Sequence, residues 1–142
     1  METVRELLDT KPPGLVTVGA EDPVRTAIQL MAEHHVGALP VLQAAELAGI
    51  ISERDYARKV VLLGRNSAET PVWQIMSAPV VTVVPGDTIR HCMELMTRHR
   101  IRHLPVLEDG IVTGIVSIGD CVRAVIEAQQ QEIDELKRYI SS

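Results

Sequence analysis

One segment of this chain occurs a second time in similar form. The segment from Val36 to Asp55 (VGALPVLQAAELAGIISERD) recurs from Ile101 to Asp120 (IRHLPVLEDGIVTGIVSIGD), at a constant offset of 65 positions. Without a gap, 8 of the 20 aligned positions are identical, whereas chance would give roughly one or two at ordinary residue frequencies. A repeat of this length predicts two copies of one structural unit. Two such copies make a molecule with pseudo-two-fold symmetry and a cleft between its halves.

Composition predicts a globular protein with an aliphatic core. The chain has 142 residues, of which 46% are hydrophobic and 23% charged, while only 2% are aromatic and none is Phe. That length suffices for one compact domain or for two small units that share a core. The formal net charge of −5 argues against a nucleic-acid partner, because binding to phosphates requires positive charge.

Neither a membrane partner nor secretion is expected. No apolar run approaches the roughly 20 residues that span a bilayer, and the start, METVRE, lacks the charged-then-apolar plan of a signal peptide. Cys92 and Cys121 lie within apolar helical patterns, where a cysteine is typically a reduced core residue. These features predict a cytoplasmic protein.

Each copy presents the same order of local signals. A short β-branched run, at 15–18 or 80–84, predicts a strand, and the Asp that follows it, Asp22 or Asp87, is placed as a helix N-cap. An apolar face at helical spacing comes next. Its members are Val24, Ala27, Ile28 and Met31 in copy one, and Ile89, Cys92, Met93 and Met96 in copy two.

The rest of each copy predicts a strand hairpin and a second helix. The first helix is expected to end near residues 34–35 or 99–100, where His and Arg suit the negative end of the helix dipole. The strands are expected at 38–42 with 47–52, and at 103–107 with 111–117 around a turn at 108–110. A helix then starts after Ser52 and after Ser117. The predicted fold is therefore α/β (α+β), two β-α-β-β-α repeats packed with pseudo-two-fold symmetry.

Short helical segments precede both copies, and a long helix follows the second. The lead-in segments are 4–8 and 72–76, and the predicted units are 1–64, 65–128 and a C-terminal helical extension over 129–142. The last helix carries a broken apolar stripe, which consists of Val122, Ile126, Ile133, Leu136 and Ile140. Two interpretations stay open: the stripe packs along its own subunit, or it forms a dimer contact.

The strongest candidate site is a seven-residue motif that ends each hairpin. It reads GIISERD from Gly49 to Asp55 and GIVSIGD from Gly114 to Asp120. Ser with an acid three residues later forms a capping box, which needs no ligand. The same helix N-terminus also suits a phosphate, and an Asp one turn in can accept two hydrogen bonds from a ribose diol.

With its LPVL strand and its duplicated motif, the chain resembles cystathionine β-synthase (CBS) domains over residues 1 to about 128. Two CBS domains in tandem form a Bateman module, in which two sheets pack face to face and leave two clefts. The resemblance implies adenine nucleotides as the usual ligands, with the motif Ser on phosphate and the motif Asp on the ribose hydroxyls.

The two copies differ just before the LPVL strand, where Arg102 and His103 of copy two replace Gly37 and Ala38 of copy one. In a nucleotide-binding member of the family the similar pair is basic and binds phosphate. Copy one would therefore need a cation from elsewhere, and Arg54, Arg58 and Lys59 are its candidates. The ligand-binding set that the resemblance implies comprises Arg102, His103, Ser117, Asp120, Thr82, Val81, Ser52, Arg54, Asp55 and Thr17.

Other polar residues suggest no metal site and no nucleophile. The five histidines match no dense ligand spacing, and neither cysteine has a Ser/His/Asp-like partner pattern. We expect no required cofactor and no catalytic residues.

The resulting functional hypothesis is a stand-alone regulatory module. It would bind an adenosine-containing ligand, AMP first with NAD or ATP as possibilities, and transmit energy state to an unknown regulated protein. A homodimer is expected. A structural or protein-interaction module with non-binding clefts is the alternative, and an enzyme is the third hypothesis, for which the motif offers only Ser and Asp in capping positions.

Overall fold

The elements follow the predicted order twice. The structure, a computed structural model, describes residues 2–141. The first copy contains α1 (Val4–Asp9), β1 (Val18–Gly19), α2 (Val24–His34), β2 (Ala38–Gln43), β3 (Glu46–Ser52) and α3 (Glu53–Tyr56), which continues as a π-helical turn over Ala57–Val61. The second contains a 3-10 turn (Val72–Gln74), α4 (Ile89–His99), β4 (His103–Glu108), β5 (Ile111–Ser117) and α5 (Ile118–Ser141).

Two small sheets carry the repeat. In the first, β1 runs parallel to β2 and β2 is antiparallel to β3; in the second, β4 is antiparallel to β5. The registers match between copies, since Ala38 pairs with Ser52 where His103 pairs with Ser117. The mixed α+β fold with two related repeats is therefore confirmed.

Both hairpins turn through two residues in the left-handed region. In the second copy these are Asp109 (φ 51°) and Gly110 (φ 78°), within the predicted turn. In the first copy two alanines, Ala44 (φ 51°) and Ala45 (φ 65°), adopt the same backbone. Such a turn has the twist that suits paired antiparallel strands, so the register of the first hairpin is kept without a glycine.

The strands predicted at 15–18 and 80–84 are much shorter than expected. In the first run only Val18 joins a sheet, and in the second Val83 makes a single parallel bridge to Val106. β-branched residues favour an extended backbone, but a strand also needs a neighbour. Each run meets β2 or β4 only at its final residues, so the rest of the run is extended without a ladder.

The prediction that Asp22 and Asp87 are helix N-caps is wrong by one position. Asp22 Oδ2 accepts a hydrogen bond from the Gly19 N–H (2.8 Å) and Asp87 Oδ2 accepts one from the Val84 N–H (2.9 Å), so each closes the turn before its helix. The N-cap of α4 is Thr88, whose Oγ1 accepts from the His91 N–H (3.0 Å). The N-cap of α2 is Pro23, which makes no side-chain cap.

The helix faces and helix ends agree with the prediction. The predicted apolar faces of α2 and α4 lie in two hydrophobic cores, one for each sheet. The helices end at His34 and His99, and the next residue, His35 or Arg100, is left-handed with φ near 54–55°. Cys92 and Cys121 are buried and unpaired, as expected of core thiols.

The two lead-in segments are exchanged between the repeats. Val4 and Leu7 of α1 pack in the core of the second repeat, whereas Val72 and Ile75 pack in the core of the first. Backbone hydrogen bonds repeat the exchange: the Val4 N–H donates to the Asp87 carbonyl (2.9 Å) and the Val72 N–H to the Asp22 carbonyl (2.8 Å). Neither core is complete without a segment that precedes the other copy.

The motif glycines make room for this exchange. A Cβ on Gly114 would lie 2.9 Å from Leu8 Cδ2, and a Cβ on Gly49 would lie 2.5 Å from Met76 Sδ and 3.0 Å from the Ser77 carbonyl oxygen. A side chain at Gly49 would therefore meet backbone as well as side chain, whereas at Gly114 only the tip of Leu8 would have to move.

The C-terminal helix runs far beyond the second core. Cys121 and Ala124 are its last fully buried positions, and every residue from 129 to 141 is exposed. The apolar stripe is exposed too, with Ile126 59%, Leu136 58% and Ile140 74% accessible. The interpretation in which the stripe packs along its own subunit is therefore wrong, because every member of the stripe is at least 44% exposed.

Replacement of Gly49 tests the close approach. Gly49→Ala should lower the free energy of unfolding by about 1–3 kcal/mol, the usual cost of overpacking, because Met76 and the Ser77 backbone must both shift. Gly86→Ala is the control, since a Cβ there meets nothing within 4 Å. Urea denaturation would measure both, and equal stabilities of the two variants would contradict the packing role.

Candidate functional site

Both motif carboxylates cap the helix that follows them. In the first repeat, Asp55 Oδ2 accepts from the Ser52 N–H (2.9 Å) and the Asp55 N–H donates to Ser52 Oγ (3.2 Å), which forms the predicted capping box. In the second repeat, Asp120 Oδ2 accepts from the Ser117 N–H (3.0 Å) and the Asp120 N–H donates to Ser117 Oγ (3.1 Å). The four motif residues are thus brought together pairwise as expected.

Two cations hold the Asp120 carboxylate. Lys11 Nζ donates to Oδ2 at 2.8 Å and Arg123 donates to Oδ1 at 2.6 Å. Lys11 also donates to the Ile115 carbonyl (2.9 Å), so its ammonium is fixed against β5. Asp120 itself is 7% exposed. A nearly buried carboxylate with two cationic partners can exchange one of them for a neutral donor without being left unpaired.

The pKa of Asp120 reflects these partners. Burial acts to raise it, but the hydrogen bonds from Lys11 and Ser117 and the charge of Lys11 outweigh burial, and the pKa is lowered from its ordinary value. Asp120 is therefore ionised at neutral pH and can accept two hydrogen bonds.

A depression of about 300 Å³ lies beside Asp120 and Arg123. Its lining comes from α1 and α5 and consists of Leu7, Thr10, Asp120, Arg123, Ala124 and Glu127. Because Leu7, Thr10 and the nearby Lys11 precede the first copy, the depression depends on the exchanged lead-in segment.

The first-repeat carboxylate has different partners. Asp55 Oδ1 accepts from Ser77 Oγ (3.3 Å) and lies 3.1 Å from Lys59 Nζ. Lys59 also donates to the Ile75 carbonyl (2.9 Å). Of the three cations suggested for this copy, Lys59 therefore lies at the motif, Arg54 instead donates across to the Arg100 carbonyl (3.3 Å), and Arg58 is exposed.

His103 lies at the boundary between the repeats. A Cβ on Gly37 would be 3.4 Å from the His103 ring and 3.3 Å from Glu53 Oε1, so the small residue in copy one makes space for the imidazole of copy two. Burial lowers the pKa of His103, while the charge of Asp120 acts to raise it and those of Lys11 and Arg102 act to lower it. His103 is thus neutral at pH 7 and loses its charge at a lower pH than an unperturbed imidazole.

The remaining predicted ligand residues lie near the sheets. Arg102 is exposed, and its carbonyl accepts from the Ile118 N–H (2.9 Å) at the start of α5. Thr17, Thr82 and Val81 are half-buried on the extended runs that enter β1 and β4. Thr17 and Thr82 occupy equivalent positions of the two copies, and the contact of all three residues with a ligand stays a prediction.

Three site residues were missed by sequence reasoning: Lys11, Ser77 and Arg123. Lys11 and Ser77 follow the lead-in segments, and only the exchange between repeats brings them to the motifs. Arg123 could have been found, because it lies three residues after Asp120 on the same helix and such pairs face one another.

The other groups that could take part in redox or metal chemistry are the two cysteines and the histidine and carboxylate side chains. Burial raises the pKa of Cys92 to about 11 and that of Cys121 to about 12, so both thiols stay protonated at neutral pH. Within residues 2–141, no three His, Cys, Asp or Glu side chains gather in a group that could hold a metal ion.

Comparison with known proteins agrees with the double repeat. The CBS domain family model matches residues 4–62 and 72–127. The chain belongs to the CBS domain family. It is 46% identical over 125 residues to the mitochondrial CBS domain-containing protein CBSX3 of Arabidopsis thaliana, with 84% of this chain aligned. The alignment spans only 61% of the plant protein's length.

Solved structures of CBS-domain proteins share the fold. A candidate signal-transduction protein with CBS domains from Burkholderia ambifaria MC40-6 is 50% identical, with a TM-score of 0.85 over 89% of this chain and 96% of that one. The CBS domain pair of protein MJ0100, solved with 5′-methylthioadenosine and S-adenosyl-L-methionine, is 26% identical, with a TM-score of 0.75 over 89% and 97%. In the part of this chain that the structure describes, no helix has the length and apolar character needed to cross a membrane.

Removal of the Lys11 charge tests the carboxylate environment. Because the pKa of Asp120 is lowered, the ion pair stabilises the fold at pH values above the ordinary carboxyl pKa and is lost as the pH falls through the lowered one. Lys11→Met should therefore be less stable than the wild type at pH 7 by about 1–2 kcal/mol, after allowance for the partial exposure of Lys11. The difference should shrink near pH 3.

Arg90→Met provides the control for urea denaturation at both pH values. Its ion pair with Glu94 is 3.5 Å long and its side chain is 90% exposed, so its removal should change stability very little. A Lys11→Met deficit of equal size at pH 7 and pH 3 would contradict the ionic interaction.

Proposed function

We propose that this CBS pair is a regulatory module that binds an adenosine-containing ligand at the second-repeat motif. The observation that carries the proposal is the ionised Asp120 carboxylate, held by Lys11 and Arg123 beside an open depression. Support comes from MJ0100, whose CBS pair was solved with two adenosine derivatives. AMP is the ligand that we expect first, with ATP and NAD as alternatives, and no cofactor is required.

The proposed binding reaction is an exchange of hydrogen-bond partners. Two ribose hydroxyls would donate to Asp120 in place of Lys11, and the displaced ammonium group would pair with the ligand phosphate. The carboxylate then keeps its donors, and the cations keep an anion. Such an exchange leaves no buried charge unpaired, which would otherwise oppose binding.

Phosphate recognition would depend mainly on Arg102, Lys11 and Arg123. Arg102 is exposed beside the start of α5 and has a side chain that can bind phosphate with two N–H groups. His103 is neutral at pH 7, so it would donate or accept a hydrogen bond and add no charge. In the first repeat Gly37 stands where the second has Arg102, so we expect weaker preference there for a phosphorylated ligand.

Regulation would follow from the exchanged lead-in segment. Lys11 joins α1, which lies in the core of the second repeat, to the chain that enters the first repeat. A ligand that displaces Lys11 would shift the conformational equilibrium of this connection by its differential affinity for the two states. We propose that an unknown partner protein, or the second subunit of a homodimer, detects that shift.

We propose no catalytic role and a cytoplasmic location. The Ser and Asp residues of both motifs are engaged in helix caps and ion pairs, which leaves no poised nucleophile or base there. The two free, buried thiols suit a reducing compartment.

A second candidate function is supported by the same site. Both motif carboxylates already have cationic partners within the chain, which is the arrangement expected of a structural or protein-interaction module whose clefts bind nothing. Thermal-shift measurements with AMP, ATP, NAD and S-adenosylmethionine distinguish the two functions. A rise in melting temperature with any of them supports the sensor, and no rise with all four supports the structural module.

The ribose assignment predicts a large loss in Asp120→Asn. An amide at this position is isosteric but offers one acceptor oxygen and no charge, so AMP affinity should fall about 10- to 150-fold, which is 1.5–3 kcal/mol. Asp55→Asn is the matched control for the other copy. Calorimetry would measure AMP affinity in both variants, once melting curves show that they are folded. Unchanged AMP affinity in Asp120→Asn would overturn the ribose assignment.

The phosphate assignment predicts a selective loss in Arg102→Ala. AMP should bind more weakly, while adenosine, which has no phosphate, should bind nearly as well as to the wild type. The preference of AMP over adenosine should fall by about tenfold or more, the value of one charge-assisted contact. Equal losses for the two ligands would mean that Arg102 is structural.

A further inference from the structure

The C-terminal helix presents a seam that the domain leaves uncovered. Val122 and Ile126 are 44% and 59% exposed, and Ile133, Leu136 and Ile140 are 47%, 58% and 74% exposed. The helix is nonetheless continuous from Ile118 to Ser141. We propose that this seam, defined by residues 122, 126, 129, 133, 136 and 140, binds the same seam of a second copy in a parallel, in-register coiled coil.

The spacing of the seam supports a coiled coil. Its positions are separated alternately by four and three residues, which is the heptad pattern that keeps one face of a helix against a supercoiled partner. Ile126, Ile133 and Ile140 then occupy a positions, and Val122 and Leu136 occupy d positions. Isoleucine at a with leucine at d favours two strands over three or four.

The interruption of the seam also suits two identical strands. Gln129 occupies the remaining d position, and a side-chain amide can donate to and accept from its own copy across a two-fold axis. A single polar layer of this kind specifies register, because any slip would place the amide against an apolar layer.

The flanking charges select the parallel orientation. In a parallel pair the g position of one helix faces the next e position of its partner, which brings Glu132 against Lys137 on both sides of the seam. An antiparallel pair that buries the whole seam would instead bring Glu132 against its own copy and Lys137 against Arg123. Both of those contacts are between like charges.

The domain reduces the ordering cost of a short seam. The seam spans 19 residues, fewer than three heptads, and the first turn of any helix is costly to form. Here Asp120, Cys121 and Ala124 anchor the first turns of α5 in the second core, so the helix is nucleated before association. The proposal specifies the contact of the homodimer proposed above and does not depend on nucleotide binding.

The test combines oligomeric state with orientation, on the full chain without nucleotide. Sedimentation equilibrium should give a dimer for the wild type, and Ile133→Glu, which places charge in the seam, should raise the dimer dissociation constant at least about tenfold. Glu135→Lys, at an outward-facing c position, is the control and should leave the dimer dissociation constant nearly unchanged. A wild-type monomer would overturn both this contact and the homodimer, whereas a dimer that Ile133→Glu leaves intact would overturn the contact alone.

A cysteine at the end of the seam reports the orientation. In a parallel pair, Ile140→Cys places two thiols at one layer, within the distance that a disulfide requires, so a cross-linked dimer should form in a mild oxidant. The control is the wild-type chain, whose two native cysteines are buried and unpaired. If Ile140→Cys stays uncrosslinked while a Val122→Cys/Ile140→Cys double variant cross-links the two positions, the pair is antiparallel and the proposal is wrong.

Discussion

The exchange of lead-in segments connects the core, the motif glycines and the candidate site. α1 completes the hydrophobic core of the second repeat, and the segment at 72–76 completes that of the first. Close packing in such interiors leaves no room for an additional methyl group where backbone and side chain meet. Gly49 and Gly114 therefore lie where the lead-in segments cross the hairpins. The same crossing carries Lys11 to Asp120 and Ser77 to Asp55.

The duplication produces two sites with different charge. Both motifs form the same helix cap, yet Asp120 has two cationic partners and an adjacent depression, whereas Asp55 has Lys59 and the Ser77 hydroxyl. The inter-repeat boundary is asymmetric as well, because Gly37 on one side makes space for His103 on the other. A gene duplication gives equal halves at first, so these differences are the features that would make one half the ligand sensor.

Short-range sequence patterns predicted the helices and strands. They failed for features that depend on contact with a distant segment of the chain. The helix faces and the 52–55 capping box follow from spacing within one copy, and the repeat follows from the comparison of the two copies. The runs at 15–18 and 80–84 have strand propensity, but each pairs only where it lies beside β2 or β4. The partnership of Lys11 with Asp120 joins residues 109 positions apart, and nothing near Lys11 in the sequence indicates it. Burial lowers the pKa of His103, which composition and spacing cannot show.

A ligand that replaces Lys11 at the Asp120 carboxylate must change the surroundings of the Lys11 ammonium group, which NMR of the lysine ammonium groups detects directly. The lysines of the chain are Lys11, Lys59 and Lys137, so three signals report on the second-repeat site, the first-repeat site and the exposed terminal helix. On titration with AMP, we expect a saturable change in the Lys11 signal and none in the Lys137 signal. A Lys11 signal that stays unchanged at an AMP concentration that saturates binding by calorimetry would contradict it.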